Sequence, residues 1–262
     1  MQPKVLILSE RFSSGDAITG LNLFSRWDKR KLFCASRTGE FFGNNFNSTY
    51  LLGNDEVIFT FPFSLFNKLP KSEVNPSYSL THQSKKKSLL KLIYLNIIIP
   101  LLWFFNLFDR RVKYKVSQKF LSWFDMIEPD YIYTSIGSLD MARFIEELLS
   151  KRTGVNLIYH GYDDWVNPNH KCINKAYSVK SDIILSSILN KSAVRLVMSD
   201  KMVQEYTNRY HHKFKTMPNP SLPVRSANNQ KNKSIVFVGK IGFHNRDAIK
   251  MMAQALRIIE NK

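Results

Sequence analysis

A disulfide framework, a metal-ligand cluster and a phosphate-loop signature are all missing from this chain. Its two cysteines, Cys34 and Cys172, are too few for a bridged scaffold and have no metal-ligand spacing, which fits a reducing compartment. Cys34 falls in an apparent strand and reads as a buried, inert thiol. His211 and His212 are adjacent, unlike the i, i+4 pair of a helical zinc site. Neither the G-x-G-x-x-G dinucleotide fingerprint nor a Walker loop occurs. The N-terminus, MQPKVLILSE, lacks the basic start, long apolar region and small-residue cleavage site of a signal peptide, and reads as a first core strand. No segment repeats at a fixed period. Acid is also scarce: 21 Asp and Glu stand against 38 Lys and Arg, a net charge of +17. That excess leaves nucleic acid, anionic lipid and a nucleotide-linked substrate open as partners.

With 44% hydrophobic residues the chain can bury a sizeable core, which excludes global disorder. Apolar runs bounded by turn residues alternate with helix-period segments, the pattern of a parallel-sheet α/β fold. The expected strands are Lys4–Leu8, Leu32–Ala35, Val57–Phe59, Tyr131–Tyr133, Asn156–Tyr159, Val194–Met198 and Ile235–Val238. Several are apolar throughout, as required of strands covered by helices on both faces. The expected helices are Thr19–Trp27, Ser88–Phe108, Val112–Met126, Leu139–Ser150, Asp182–Leu189, Asp200–Tyr210 and Arg246–Ile259. A stretch of Pro, Asn, Ser and Lys over Pro218–Lys233 suits a linker. The expected division is a Rossmann-like domain over 1–220, a linker over 221–233, and the first strand and helix of a second such domain over 234–262.

In open α/β sheets ligands bind beyond the carboxyl ends of the strands, so the loops that follow strands carry the chemistry. The first, SERFSSGDAITG, ends at Gly20 and can offer backbone N–H groups to a phosphate or sugar at a helix start. A plain connection explains it as well. TSIGS follows the Tyr131 strand, and HGYDDW follows the next. There His160 has the residue type to take a proton from an attacking hydroxyl. Asp163 or Asp164 can hold sugar hydroxyls or orient that imidazole, and Trp165 can stack on a sugar or seal the core. GKIGFHNR follows the last strand. Gly239 lets backbone approach a ligand, Lys240 and Arg246 can neutralise a diphosphate, and Asn245 can cap the helix. A capped helix with solvated basic residues fits the same stretch.

Lys85–Lys119 sets an apolar stretch, LLKLIYLNIIIPLLWFFNLF, between two basic clusters, with nine Lys and Arg against the single acid Asp109. A spanning helix needs roughly 20 predominantly apolar residues, and Lys91, Asn96, Pro100 and Asn106 interrupt this one. Both flanks are basic, so no orientation follows from charge. The expectation is a helix lying on an anionic membrane surface, apolar face inward and lysines at the headgroups. A core helix with solvated basic ends is the alternative. Because the basic residues surround an apolar helix rather than a polar stacking surface, nucleic acid is not the expected partner.

Five segments in order resemble GT-B glycosyltransferases of the family 4 kind, in particular enzymes of bacterial surface-polysaccharide assembly. They are ITGLNLFSRW (Ile18–Trp27), FDMIEPDYIYTSIGS (Phe124–Ser138), LIYHGYDDWVNP (Leu157–Pro168), VRLVMSDKMVQEYTNRY with the later MPNP, and SIVFVGKIGFHNRDAIKMMAQAL. The resemblance implies two facing Rossmann-like domains that transfer a sugar from a nucleotide-sugar donor to a glycan acceptor, often lipid-linked at the cytoplasmic membrane face. It implies no obligatory metal and no other cofactor. His160, Asp163 and Asp164 would line the acceptor side, Gly20 the first loop, and Gly239, Lys240 and Arg246 the donor phosphates. The family's E-x₇-E donor element has no counterpart here, and SSGDAITG stands where a compact Gly-Gly pair is usual. The expectation is therefore a glycosyltransferase shortened in its donor-binding domain, cytoplasmic and peripheral to the membrane, with little activity alone. An inactive membrane-associated acceptor-binding module and a nucleic-acid-binding α/β protein are the other readings.

Overall fold

The computed structural model describes residues 2–10, 22–38, 45–60, 64, 69–76, 97–98, 101–102, 112–164, 166, 175–218, 250–252 and 254. Five strands lie where apolar runs place them: β1 (Val5–Ser9), β2 (Leu32–Ser36), β7 (Tyr131–Thr134), β8 (Asn156–Gly161) and β9 (Ser192–Val197). With β3 (Ser48–Leu51), β5 (Glu73–Val74) and β10 (Lys215–Thr216) they form one eight-stranded sheet in the order β10-β9-β8-β7-β1-β2-β3-β5. Every pairing is parallel except β3 with β5, at the edge. The protein is thus α/β with a Rossmann-like, mostly parallel sheet.

Parallel strands need crossovers, and helices supply them here. The helices are α1 (Gln118–Ile127), α2 (Leu139–Lys151), α3 (Lys175–Lys191) and α4 (Asp200–Tyr210). Serine caps start three of them. Ser117, Ser138 and Ser199 each accept a hydrogen bond from the third backbone N–H that follows. Left-handed residues end α1 and α4, at Glu128 and His211.

All five residues of β1 and of β2 are buried, so the sheet has two packed faces. Leu6, Leu8, Phe33, Ile132, Leu157 and Tyr159 join the core made with α1, α2 and α3. Val5, Ile7, Leu32, Cys34 and Tyr133 face the other way, against Leu23, Phe24 and Trp27. The Cys34 thiol is fully buried and burial pushes its pKa well up, as expected of an inert thiol.

Two expectations need correction. Val112–Met126 is not one helix: β6 (Val112–Tyr114) precedes α1. Val112, Tyr114 and Val116 are buried while Lys113 and Lys115 are exposed, a period of two, and the Ser117 cap marks where period 3.6 begins. Further, β4 (Val57–Phe59) is a strand but lies outside the main sheet. It pairs antiparallel with β6 alone, because Ile58 faces solvent and leaves no second apolar face to cover. The predicted helix Asp182–Leu189 is longer, running over α3. Strand Ile235–Val238 and most of Ser88–Phe108 and Arg246–Ile259 lie outside the described residues. The expected helix Thr19–Trp27 is described over 22–27, where it is helical only at 22–23 and turns from 24 onward. The chain divides into two compact units, Met1–Leu222 and Pro223–Lys262.

Candidate functional site

The parallel strands run outward from β1 in both directions: β2 and β3 on one side, then β7, β8, β9 and β10 on the other. The switch falls between β1 and β7, and in open α/β sheets ligands bind beyond the carboxyl ends of the strands at such a point. Glu10 follows β1, Arg37 follows β2, Ser138 caps α2 after β7, and HGYDDW begins in the last two residues of β8 and runs on past its end. Four successive strands therefore deliver polar residues to one edge.

His160 is the penultimate residue of β8 and is fully buried. Its Nε2 lies 2.9 Å from the Met217 carbonyl, and its Nδ1 2.6 Å from the Tyr133 hydroxyl. A carbonyl only accepts, so Nε2 carries the hydrogen and Nδ1 of the neutral ring accepts from Tyr133. Tyr133 in turn stands 2.8 Å from the Tyr162 hydroxyl, which then donates to it. The result is a directed chain, Tyr162 to Tyr133 to His160 to Met217. Burial lowers the His160 pKa, the Met217 contact opposing it, and burial raises that of Tyr133, with Tyr162 adding to the effect. Neutral imidazole and neutral phenol are the forms this chain of bonds requires.

A pH dependence follows. The unfolded His160 protonates near its ordinary value of about 6.5, whereas the folded ring resists protonation to lower pH. Between those values the unfolded state binds more protons, so stability rises with pH. The contribution is complete above about pH 6.5 and is lost as pH falls through the folded pKa. Thermal melts of the wild type and of His160→Gln across pH 5 to 8 are expected to converge as pH falls. Parallel curves would contradict it.

Asp164 is held by α4. Arg209 donates to both of its carboxylate oxygens at 2.9 Å, and the Tyr206 hydroxyl donates to one of them at 3.1 Å. Arg209 is itself steadied by Glu205, one helical turn back. Asp164 thus anchors the loop to α4 with its carboxylate filled. Asp163 beside it is exposed. Neither aspartate orients His160, whose ring partners are Tyr133 and Met217. The structure places His160 within β8 and not in a loop, with Asp163 and Asp164 in the loop that follows, and does not join them. Trp165, Gly20, Gly239, Lys240 and Arg246 lie outside the described residues, as does most of Lys85–Lys119.

The sequence reading placed Glu10 and Ser138 in candidate loops without singling them out, and missed Arg37 and Tyr177. Ser138 Oγ donates to Glu10 Oε2 at 2.6 Å while also capping α2, and the Leu139 N–H donates to the Tyr177 hydroxyl at 3.3 Å. Arg37 approaches Glu10 Oε1 at 4.0 Å. Burial raises the Tyr177 pKa, opposed by Leu139 and reinforced by the carboxylates of Asp140 and Glu10, so the phenol stays protonated. The only available signal was position, since Glu10 and Arg37 each follow an apolar strand directly. No three His, Cys, Asp or Glu among the described residues could hold a metal ion. No helix among them is long and apolar enough to cross a membrane.

The class these features define is a Rossmann-like α/β protein with polar residues gathered at the carboxyl edge of its sheet. No family model matches the chain, and no curated protein or solved structure matches it.

Proposed function

We propose that this protein is the acceptor-side domain of a GT-B-like glycosyltransferase that works on a lipid-linked glycan at an anionic membrane surface. The observation that carries the reading is where the resembling segments fall. FDMIEPDYIYTSIGS spans the end of α1, β7 and the cap of α2, and LIYHGYDDWVNP begins within β8. These are adjacent parallel strands, so the two loops open on the same edge beside the β1–β7 switch. On this reading Asp163, exposed on the loop, meets the acceptor sugar. Asp164 and His160 hold the loop in place. Gly20 serves the first loop, and Gly239, Lys240 and Arg246 serve the phosphates of the nucleotide-sugar donor.

The membrane part rests on Lys85–Lys119. β4 precedes that segment, β6 lies near its carboxyl end, and the two pair with one another, so the chain returns to where it left. That suits a segment lying on a surface better than one crossing once. Ile97 and Leu101, four residues apart in sequence within it, are exposed at 54% and 49%. Basic residues near an anionic surface contribute about 1 kcal/mol each. Flotation with phosphatidylglycerol vesicles is expected to carry the protein up, and phosphatidylcholine vesicles to leave it behind. Raising salt from 0.05 to 0.5 M (order-of-magnitude settings) should weaken the binding. Equal flotation with both lipids, or tighter salt-sensitive binding to RNA than to either, would favour the other readings.

A further inference from the structure

The less exposed of the two paired arginines at the carboxyl edge sits in the looser pair. The Arg37 side chain is 16% exposed, and among the described residues its single polar partner is Glu10 Oε1, 4.0 Å away. Arg209, at 22%, closes a two-pronged pair on Asp164 at 2.9 Å. A guanidinium carries five N–H donors, and donors this far from water normally find partners. Glu10, 25% exposed, has its other oxygen engaged by Ser138, which turns Oε1 toward Arg37. A donor fork and a carboxylate oxygen thus face one another across a gap too wide for a hydrogen bond.

The pair follows the ends of β1 and β2, beside the α2 cap that comes after β7, where the strand order reverses. Gly137, next to Ser138, has open space where a side chain would be. An anion entering here meets the carboxylates of Glu10 and Asp140, and a cation meets Arg37. A neutral ring with neighbouring hydroxyls meets neither penalty: one hydroxyl donates to Glu10 and the next accepts from Arg37.

We propose that Glu10, Arg37 and Ser138 form a subsite for one neutral sugar ring bound through adjacent hydroxyls. It rests on the transferase reading only in being the acceptor's sugar. The test uses the full chain, ¹⁵N-labelled, titrated with the methyl glycosides of glucose, galactose and mannose, with inorganic phosphate as the anionic comparator. At least one glycoside is expected to saturate and shift the Arg37 side-chain N–H signal. Glu10→Gln and Arg37→Lys are each expected to weaken binding about ten- to a hundredfold, the loss for a hydrogen bond to a charged group. Melting curves establish that both variants stay folded, and Ser138→Ala supplies a third arm should either fail. Absence of shifts with every glycoside, unchanged affinity in a folded variant, or phosphate binding improved by Glu10→Gln overturns the subsite. Glycoside binding without any response to a lipid-linked saccharide would sink the transferase reading and leave the subsite standing. Recognition of the lipid-linked saccharide unaffected by these variants would do the reverse.

Discussion

Replacing Glu56 with Ala is expected to destabilise the protein by about 3–4 kcal/mol, although the residue lies outside the proposed ligand site. Glu56 is a carboxylate with no exposure, and four donors converge on it: the Tyr50 hydroxyl, the Gly53 N–H, and the hydroxyls of Ser72 and Ser117. A buried donor left without a partner costs about 1–3 kcal/mol. Rotating hydroxyls recover part of that, and Gly53 keeps a second bond to Ser72. Ser117 also caps α1, so the carboxylate lies against a helix N-terminus, where negative charge is favoured. The corner joins the end of β3, the segment before β5, and the start of α1, and these move apart together when it fails. Burial, followed by the Glu56 charge, raises the Tyr50 pKa and keeps the phenol a donor. Gly53→Ala strikes the same corner by another route, since a Cβ there would stand 2.5 Å from Pro70 O and Ser72 N. Urea denaturation checks both. A loss under about 1 kcal/mol for Glu56→Ala would mean that its donors find other partners in the folded state.

Asp164→Ala is expected to cost about 2–3 kcal/mol and to free the loop after β8. The carboxylate accepts two bonds from Arg209 and one from Tyr206. Removing it leaves a largely enclosed guanidinium with Glu205, at 2.6 Å, and the rings of Tyr206 and Tyr210. Hydrogen exchange over residues 161–164 should accelerate, while the α2 backbone remains protected. If acceptor binding depends on that loop, affinity falls in step with its protection. Stability lost without faster exchange would place the effect in α4 rather than in the loop.

How far the sequence led differs between fold and site, for physical reasons. Core strands announced themselves because both faces of β1 and β2 are covered, which leaves apolar runs such as VLIL and LFCA. The Rossmann-like class followed from their alternation with helical periods. β3 carries Ser48 and Thr49, so its pairing with β2 had no apolar run to reveal it. β6 was absorbed into the following helix because three residues of alternation are too few to stand out before the Ser117 cap. The site was harder, since its contacts are made by folding. His160 and its loop aspartates stood out by residue type, yet the partners that define them, Tyr133, Met217 and Arg209, lie 27, 57 and 45 residues away. Glu10 and Ser138 meet across 128 residues, and only the β1–β7 pairing brings them together.

The most direct test of the acceptor-domain account is binding to nanodiscs with and without a polyprenyl-diphosphate-linked monosaccharide, at fixed anionic lipid content and fixed salt. The account predicts that the saccharide tightens binding beyond what anionic lipid supplies, and that the free methyl glycoside competes the increment away. Equal binding to both nanodiscs would contradict it: the basic segment would then be a membrane anchor for some other chemistry.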